Sequence, residues 1–270
     1  MFYHAKNKSV PMGNTDMDYV TFGKGKDVLV MIPGLGDGLR TVKGLAVPMA
    51  ATYKMFAEHY KVYVFSRKNR LKEGCTTRDM AGNLARAMKL LGIQKADIVG
   101  ISQGGMIAQY LAIDYPDLTE KLVLAVTSPR TNPMMREVVG QWIFWGEKGD
   151  YRNLFIDTAE KTYSEKALKK YRLWYPVLTR VGKPKDFGRF IIQAKSCFSH
   201  DACLELNKIV CPTLILGGEC DRIVGGDASK ELAEKIAGSE LFLYPNLGHG
   251  AYEEGKDFNR RVLKFLLPNS

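Results

Sequence analysis

The chain has 270 residues, 46% of them hydrophobic and 25% charged, which excludes collagen-like, disordered and coiled-coil classes. Lys and Arg number 39 against 29 Asp and Glu, a formal charge of +10. That excess leaves nucleic-acid binding, attraction of an anionic substrate or membrane surface, and plain solubility open. A chain this long buries enough surface to fold without a metal or disulfide staple.

Met1-Phe2-Tyr3-His4-Ala5-Lys6 lacks the apolar run of a signal peptide. Met17–Phe22 reads as a strand ending at the turn Gly23-Lys24-Gly25-Lys26. Val28–Ile32 is continuously apolar, as suits a strand buried on both faces. It is far too short to span a bilayer, so no stable membrane insertion is expected. Leu45–His59 reads as a helix with Pro48 in its first turn. Val62–Phe65 is a short strand, and the basic run Arg67-Lys68-Asn69-Arg70 after it reads as a solvated loop, with anion contact as the alternative.

Thr77–Leu91 carries Met80, Leu84, Ala87, Met88 and Leu91 at helical spacing, with Gly92 suited to the end. Asp97–Ile101 reads as a strand, Gln103–Tyr115 as a helix and Leu122–Val126 as a strand. Strands separated by helices predict an α/β fold, a mostly parallel central sheet covered by helices on both faces. After Ser128-Pro129 the pattern turns helical and holds all three tryptophans, Trp142, Trp145 and Trp174. Strand signals return at Thr213–Leu216 and Leu241–Tyr244, with helices over Ala228–Ala237 and Tyr252–Leu267; the apolar stripe of the last helix reads as core. The domain expectation is a core of residues 1–128 and 206–270 with residues 129–205 inserted as a helical unit. Cys75, Cys197, Cys203, Cys211 and Cys220 are odd in number and form no CxxC pair. They predict reduced thiols and a cytoplasmic protein.

Gly100-Ile101-Ser102-Gln103-Gly104 is a G-x-S-x-G pattern between a strand and a helix. That context predicts a nucleophile elbow, a strained turn that lifts Ser102 above the sheet. A serine hydroxyl needs a base to take its proton. In the chain order of this elbow architecture, serine, acid, then histidine, His4 and His59 come too early. His200 precedes the last strands, and His249, between Gly248 and Gly250, becomes the base. The acid belongs on the loop after Thr213–Leu216, where Asp221 is the choice and Glu219 and Asp227 are alternatives. The oxyanion would receive the backbone N–H groups of Gln103 and of Leu35, the latter in the glycine loop Pro33-Gly34-Leu35-Gly36-Asp37-Gly38.

Taken together, Ile32-Pro33-Gly34-Leu35-Gly36, Gly100 to Gly105, Gly218 to Asp221 and Gly248-His249 resemble the α/β-hydrolase fold family, of the capped, esterase-like kind. Relatives commonly carry His-Gly where this chain has Pro33-Gly34. The resemblance implies that the insertion is a cap shaping the substrate pocket, with Trp142 and Trp145 as substrate-binding candidates. Residues 129–206 hold 14 Lys or Arg and 9 Asp or Glu, a net +5, so the charge is densest there and not on a groove-reading helix. Nucleic acid is therefore not an expected partner. The expected function is hydrolysis of a carboxylic ester, or of a thioester or amide, through an acyl-enzyme, acting on a small acyl substrate with no metal or cofactor. The alternatives are a C–C bond hydrolase, lyase, acyltransferase or haloperoxidase on the same triad, or a ligand-binding signalling protein with vestigial turnover.

Overall fold

The computed structural model describes residues 2–267. Its strands are β1 (Lys6–Pro11), β2 (Asp16–Phe22), β3 (Asp27–Ile32), β4 (Tyr60–Lys68), β5 (Ala96–Ile101), β6 (Thr119–Ala125), β7 (Thr213–Gly218) and β8 (Glu240–Tyr244). They form a single sheet in the order β1-β2-β4-β3-β5-β6-β7-β8. The pairs from β4–β3 through β7–β8 are parallel; β1–β2 and β2–β4 are antiparallel. The expected α/β architecture holds, with an antiparallel edge added. β1 escapes sequence reading because Lys-Asn-Lys-Ser-Val-Pro is polar and mostly exposed. Such an edge strand needs no apolar pattern.

The helices are α1 (Ala46–Thr52), α2 (Lys54–Ala57), α3 (Thr77–Leu90), α4 (Gln103–Asp114), α5 (Pro133–Glu147), α6 (Tyr151–Thr162), α7 (Glu165–Leu178), α8 (Gly188–Phe198), α9 (Ala228–Lys235), α10 (Ala251–Glu254) and α11 (Phe258–Leu266). Two expected helices are each split in two. The first breaks at Tyr53, and the C-terminal one breaks at Gly255. A capping box between Thr76 and Asp79 starts α3, satisfying two amide groups that the helix cannot pair internally.

Each face of the sheet has its own core. On one, Met80, Leu84 and Met88 of α3 and Ile107 and Leu111 of α4 pack on Val30, Ile98 and Leu122. On the other, Ala46, Ala50, Phe56 and Val262 pack on Leu29, Val99 and Val123. Helices α5 to α8 leave the sheet between the neighbouring strands β6 and β7. The chain enters and leaves this insertion side by side, through the bridge between Arg130 and Asp201. A third cluster joins Trp142, Ile143 and Phe190 of the insertion to Leu35, Met106 and Val224 of the core. The run from Arg67 is not a solvated loop. β4 extends through Lys68 and turns Arg67 inward, where it is 3% exposed.

Candidate active site

Ser102 sits between the end of β5 and the first residue of α4, with φ 55° and ψ −122°. A positive φ is costly for a residue with a Cβ, and it persists only where the surroundings impose it. Here the Ser102 N–H donates to the Ala125 carbonyl (2.8 Å), and the Thr127 hydroxyl donates to the Ser102 carbonyl (2.7 Å). Gly104 lets the turn close, because a Cβ there would lie 2.0 Å from the Ile32 carbonyl oxygen. The strand–turn–helix geometry is the expected elbow.

The loop after β8 brings His249 to the serine, with Nε2 2.9 Å from Ser102 Oγ. The same loop is anchored to the insertion by a bond from the Gly250 N–H to the Thr162 carbonyl (2.6 Å). His249 Nδ1 lies 2.8 Å from Asp221 Oδ2. The other oxygen, Oδ1, accepts the N–H groups of Ile223 (2.8 Å) and Val224 (3.0 Å). Burial raises the Asp221 pKa. The charge and hydrogen bond of His249 and the two backbone amides outweigh it and leave the carboxyl below its ordinary value. The alternatives fall away: Glu219 and Asp227 are exposed, and Asp227 pairs with Lys230.

His200 is a core histidine. Its Nδ1 meets the Thr77 hydroxyl at 3.0 Å, and burial pulls its pKa down to about 4.

Ser102, His249, Gly34 and Leu35 line one cavity of about 510 Å³. The N–H groups of Leu35 and Gln103 have no hydrogen-bond partner among the described residues. Gln103 N–H opens α4, so the positive end of that helix also faces the site. The rest of the lining is mainly apolar and aromatic, including Met49, Val64, Phe155 and Ile223. Trp142 is among the lining residues, its Nε1 held by Asp157 at 2.8 Å. Trp145 is not; it packs, half-buried, against the cluster between insertion and core.

Sequence reasoning missed Arg40, Tyr53 and the role of Tyr252. Tyr252 packs, half-buried, against the core as the stripe predicts, and it also lines the cavity. Tyr53 reaches the lining because α1 and α2 break at it. Burial, then the nearby Glu253, pushes the Tyr53 phenol up to about 12 and the Tyr252 phenol well above its ordinary value. Both line the cavity as neutral phenols. Arg40 is exposed, forms no ion pair among the described residues, and is the one Lys or Arg on the lining. No periodic pattern marks it, since it follows a glycine-rich turn.

Comparison with known proteins agrees with this fold. A family profile described as the alpha/beta hydrolase fold matches residues 27–149. The chain is 28% identical over 267 residues to a 2-hydroxy-6-oxononadienedioate/2-hydroxy-6-oxononatrienedioate hydrolase from a Pseudomonas species, covering 90% of this chain and 89% of that one. Its fold is similar to that of MGS-M2, an alpha/beta hydrolase enzyme from a Medee basin deep-sea metagenome library. The TM-score is 0.87 and the identity 24%, over 97% of this chain and 98% of that one. It also resembles the enol-lactonase from Burkholderia xenovorans LB400, at a TM-score of 0.79 and 18% identity, over 96% and 99% of the two chains.

Proposed function

We propose that in this chain, whose fold is that of the α/β hydrolases, Ser102, His249 and Asp221 hydrolyse the bond between a carbonyl carbon and its neighbour, and that this bond is a carbon–carbon bond. The observation that carries the reading is the continuous chain from Ser102 Oγ to His249 (2.9 Å) to Asp221 (2.8 Å) at the wall of a mainly apolar cavity. Ser102 attacks the carbonyl carbon as His249 takes its proton, and Asp221 holds the ring and its charge. The oxyanion is received by the N–H groups of Leu35 and Gln103. Residues 129–205 act as the cap over this chemistry.

The choice of bond is supported by the relative whose name specifies a 2-hydroxy-6-oxo dienedioate. In such a compound the C6 carbonyl ends a conjugated chain. The dienol first ketonises: the C2 hydroxyl loses its proton and C5 gains one, so that C2 becomes a carbonyl conjugated to C3=C4. Ser102 then adds to C6 as His249 takes its proton, and when the C5–C6 bond breaks the electron pair passes through C3=C4 to the C2 carbonyl oxygen. The resulting dienolate takes the proton back from His249, and water then hydrolyses the acyl-serine to a carboxylic acid. Arg40, the cation on the lining, suits a carboxylate at the other end of the substrate.

The test compares 2-hydroxy-6-oxononadienedioate with p-nitrophenyl butyrate. The reading expects kcat/KM for the dienedioate to exceed that for the ester by at least about tenfold, a difference of roughly 1.4 kcal/mol in barrier. Ester turnover with the dienedioate at background would instead make this chain an esterase.

A further inference from the structure

Both residues that would present oxyanion amides are tied to one buried polar cluster. The Gln103 side chain is held from two sides. Its Oε1 accepts from the Arg67 guanidinium (3.0 Å), and its Nε2 donates to the Gln193 carbonyl on α8 (2.6 Å). Two residues beyond Leu35, the fully buried carboxylate of Asp37 accepts from the Arg67 backbone N–H (3.1 Å) and pairs with Arg189 of α8 (2.6 Å). Arg189 also donates to the carbonyls of Asp37, Arg67 and Lys68. Arg189 and Gln193 are four residues apart, so they share one face of the helix.

The contact is close in the backbone as well. A Cβ on Gly38 would lie 2.7 Å from the Phe190 Cα, so α8 rests directly on the oxyanion loop. The charge does not cancel, because two guanidinium groups share the single carboxylate of Asp37. Burial pulls the Arg67 pKa down to about 10, which leaves it a cation at neutral pH. Its Nε and Nη1 make no hydrogen bond among the described residues, and Nη1 stands 3.9 Å from the Asp37 carboxylate. Unpaired buried donors cost stability, yet Arg67 bridges loop and elbow together. A net positive charge in a low-dielectric interior also favours an oxyanion forming nearby.

We propose that Arg189 and Arg67 are positioning residues of the oxyanion hole. Through Asp37 and Gln103 they fix both amide-bearing residues and make the hole depend on the seating of α8. The inference rests on the reading of Ser102 as nucleophile, and its test separates the two.

The test uses p-nitrophenyl butyrate for turnover and a fluorophosphonate to count active serines, on the wild type, Arg189→Gln and Arg189→Lys. Arg189→Gln is expected to lower kcat per titrated site by about 10–100-fold, somewhat less than outright loss of an oxyanion donor, with KM within about twofold. Lysine can reach Asp37 but cannot also fork to the carbonyls, so Arg189→Lys is expected to recover part of the rate. A purely structural role would reduce the number of titrated sites and leave turnover per site unchanged. That result in Arg189→Gln overturns the proposal and leaves Ser102 standing. Should that variant not fold, wild-type turnover per site in Arg189→Lys overturns it equally. A wild type that neither labels nor turns over the ester overturns the Ser102 reading and the inference with it.

Discussion

The Arg67 guanidinium donates a 3.0 Å hydrogen bond to the Gln103 side chain, tying the end of β4 to the residue that follows the nucleophile. Gln103 is 1% exposed and its side chain also serves Gln193, so what is left to meet an oxyanion is its backbone N–H.

Gln103→Leu should keep the amide but strand the Arg67 donor, while the Gln193 carbonyl keeps the Ser196 hydroxyl (2.7 Å). Leaving buried polar groups unsatisfied costs about 1–3 kcal/mol each. In a chain of this size each kcal/mol lowers Tm by roughly 2–4 °C. Thermal unfolding checks this; an unchanged Tm would show that the cluster adds nothing to stability.

Asp221→Asn preserves the shape of the acid but removes its charge, and the amide nitrogen competes to donate toward His249. The histidine then loses its tautomer and its cation loses its partner. We expect kcat to fall by about 10³–10⁴-fold with KM little changed. Steady-state kinetics on the substrate that the wild type prefers will show it. A loss under tenfold would mean that Asp221 only buttresses the loop.

His200 predicts a pH dependence of stability. Its pKa is about 4 in the folded chain against an ordinary 6.5, so between these values the unfolded chain binds the extra proton. The contribution of neutral His200 is complete above pH 6.5 and is lost as pH falls toward 4. It amounts to at most about 3 kcal/mol. The advantage of the wild type over His200→Gln should shrink by that order on acidification, as read from urea midpoints. A difference that does not vary with pH would contradict it.

Arg40→Met tests the substrate's charge. It should raise KM for the dienedioate by about tenfold, in line with loss of a charge-assisted hydrogen bond, and leave p-nitrophenyl butyrate within about twofold. Equal effects on both substrates would remove Arg40 from recognition.

The parallel sheet was legible because β3, β5 and β7 each carry a short apolar run, Val28–Ile32, Ile98–Ile101 and Leu214–Leu216, with a glycine-containing turn after it. The triad was legible because Ser102 and His249 lie in short glycine-flanked motifs whose local shape is set by a few adjacent residues. Arg67 was not. Its partners, Asp37, Gln103 and Arg189, are distant in sequence, and a basic run looks solvated until the fold brings them together. The breaks at Tyr53 and Gly255 were hidden for a similar reason. Helical spacing continues across them, while packing on the sheet decides where each helix stops. The edge strand β1 is held chiefly by backbone pairing with β2, with Val10 alone reaching the core, which its polar sequence does not advertise.

The central claim is that Ser102 is the nucleophile, and peptide mass spectrometry after fluorophosphonate treatment tests it most directly. The account predicts one adduct per chain, carried by Ser102 and absent from Ser102→Ala. An adduct that persists in Ser102→Ala, or undiminished turnover by that variant, would contradict it.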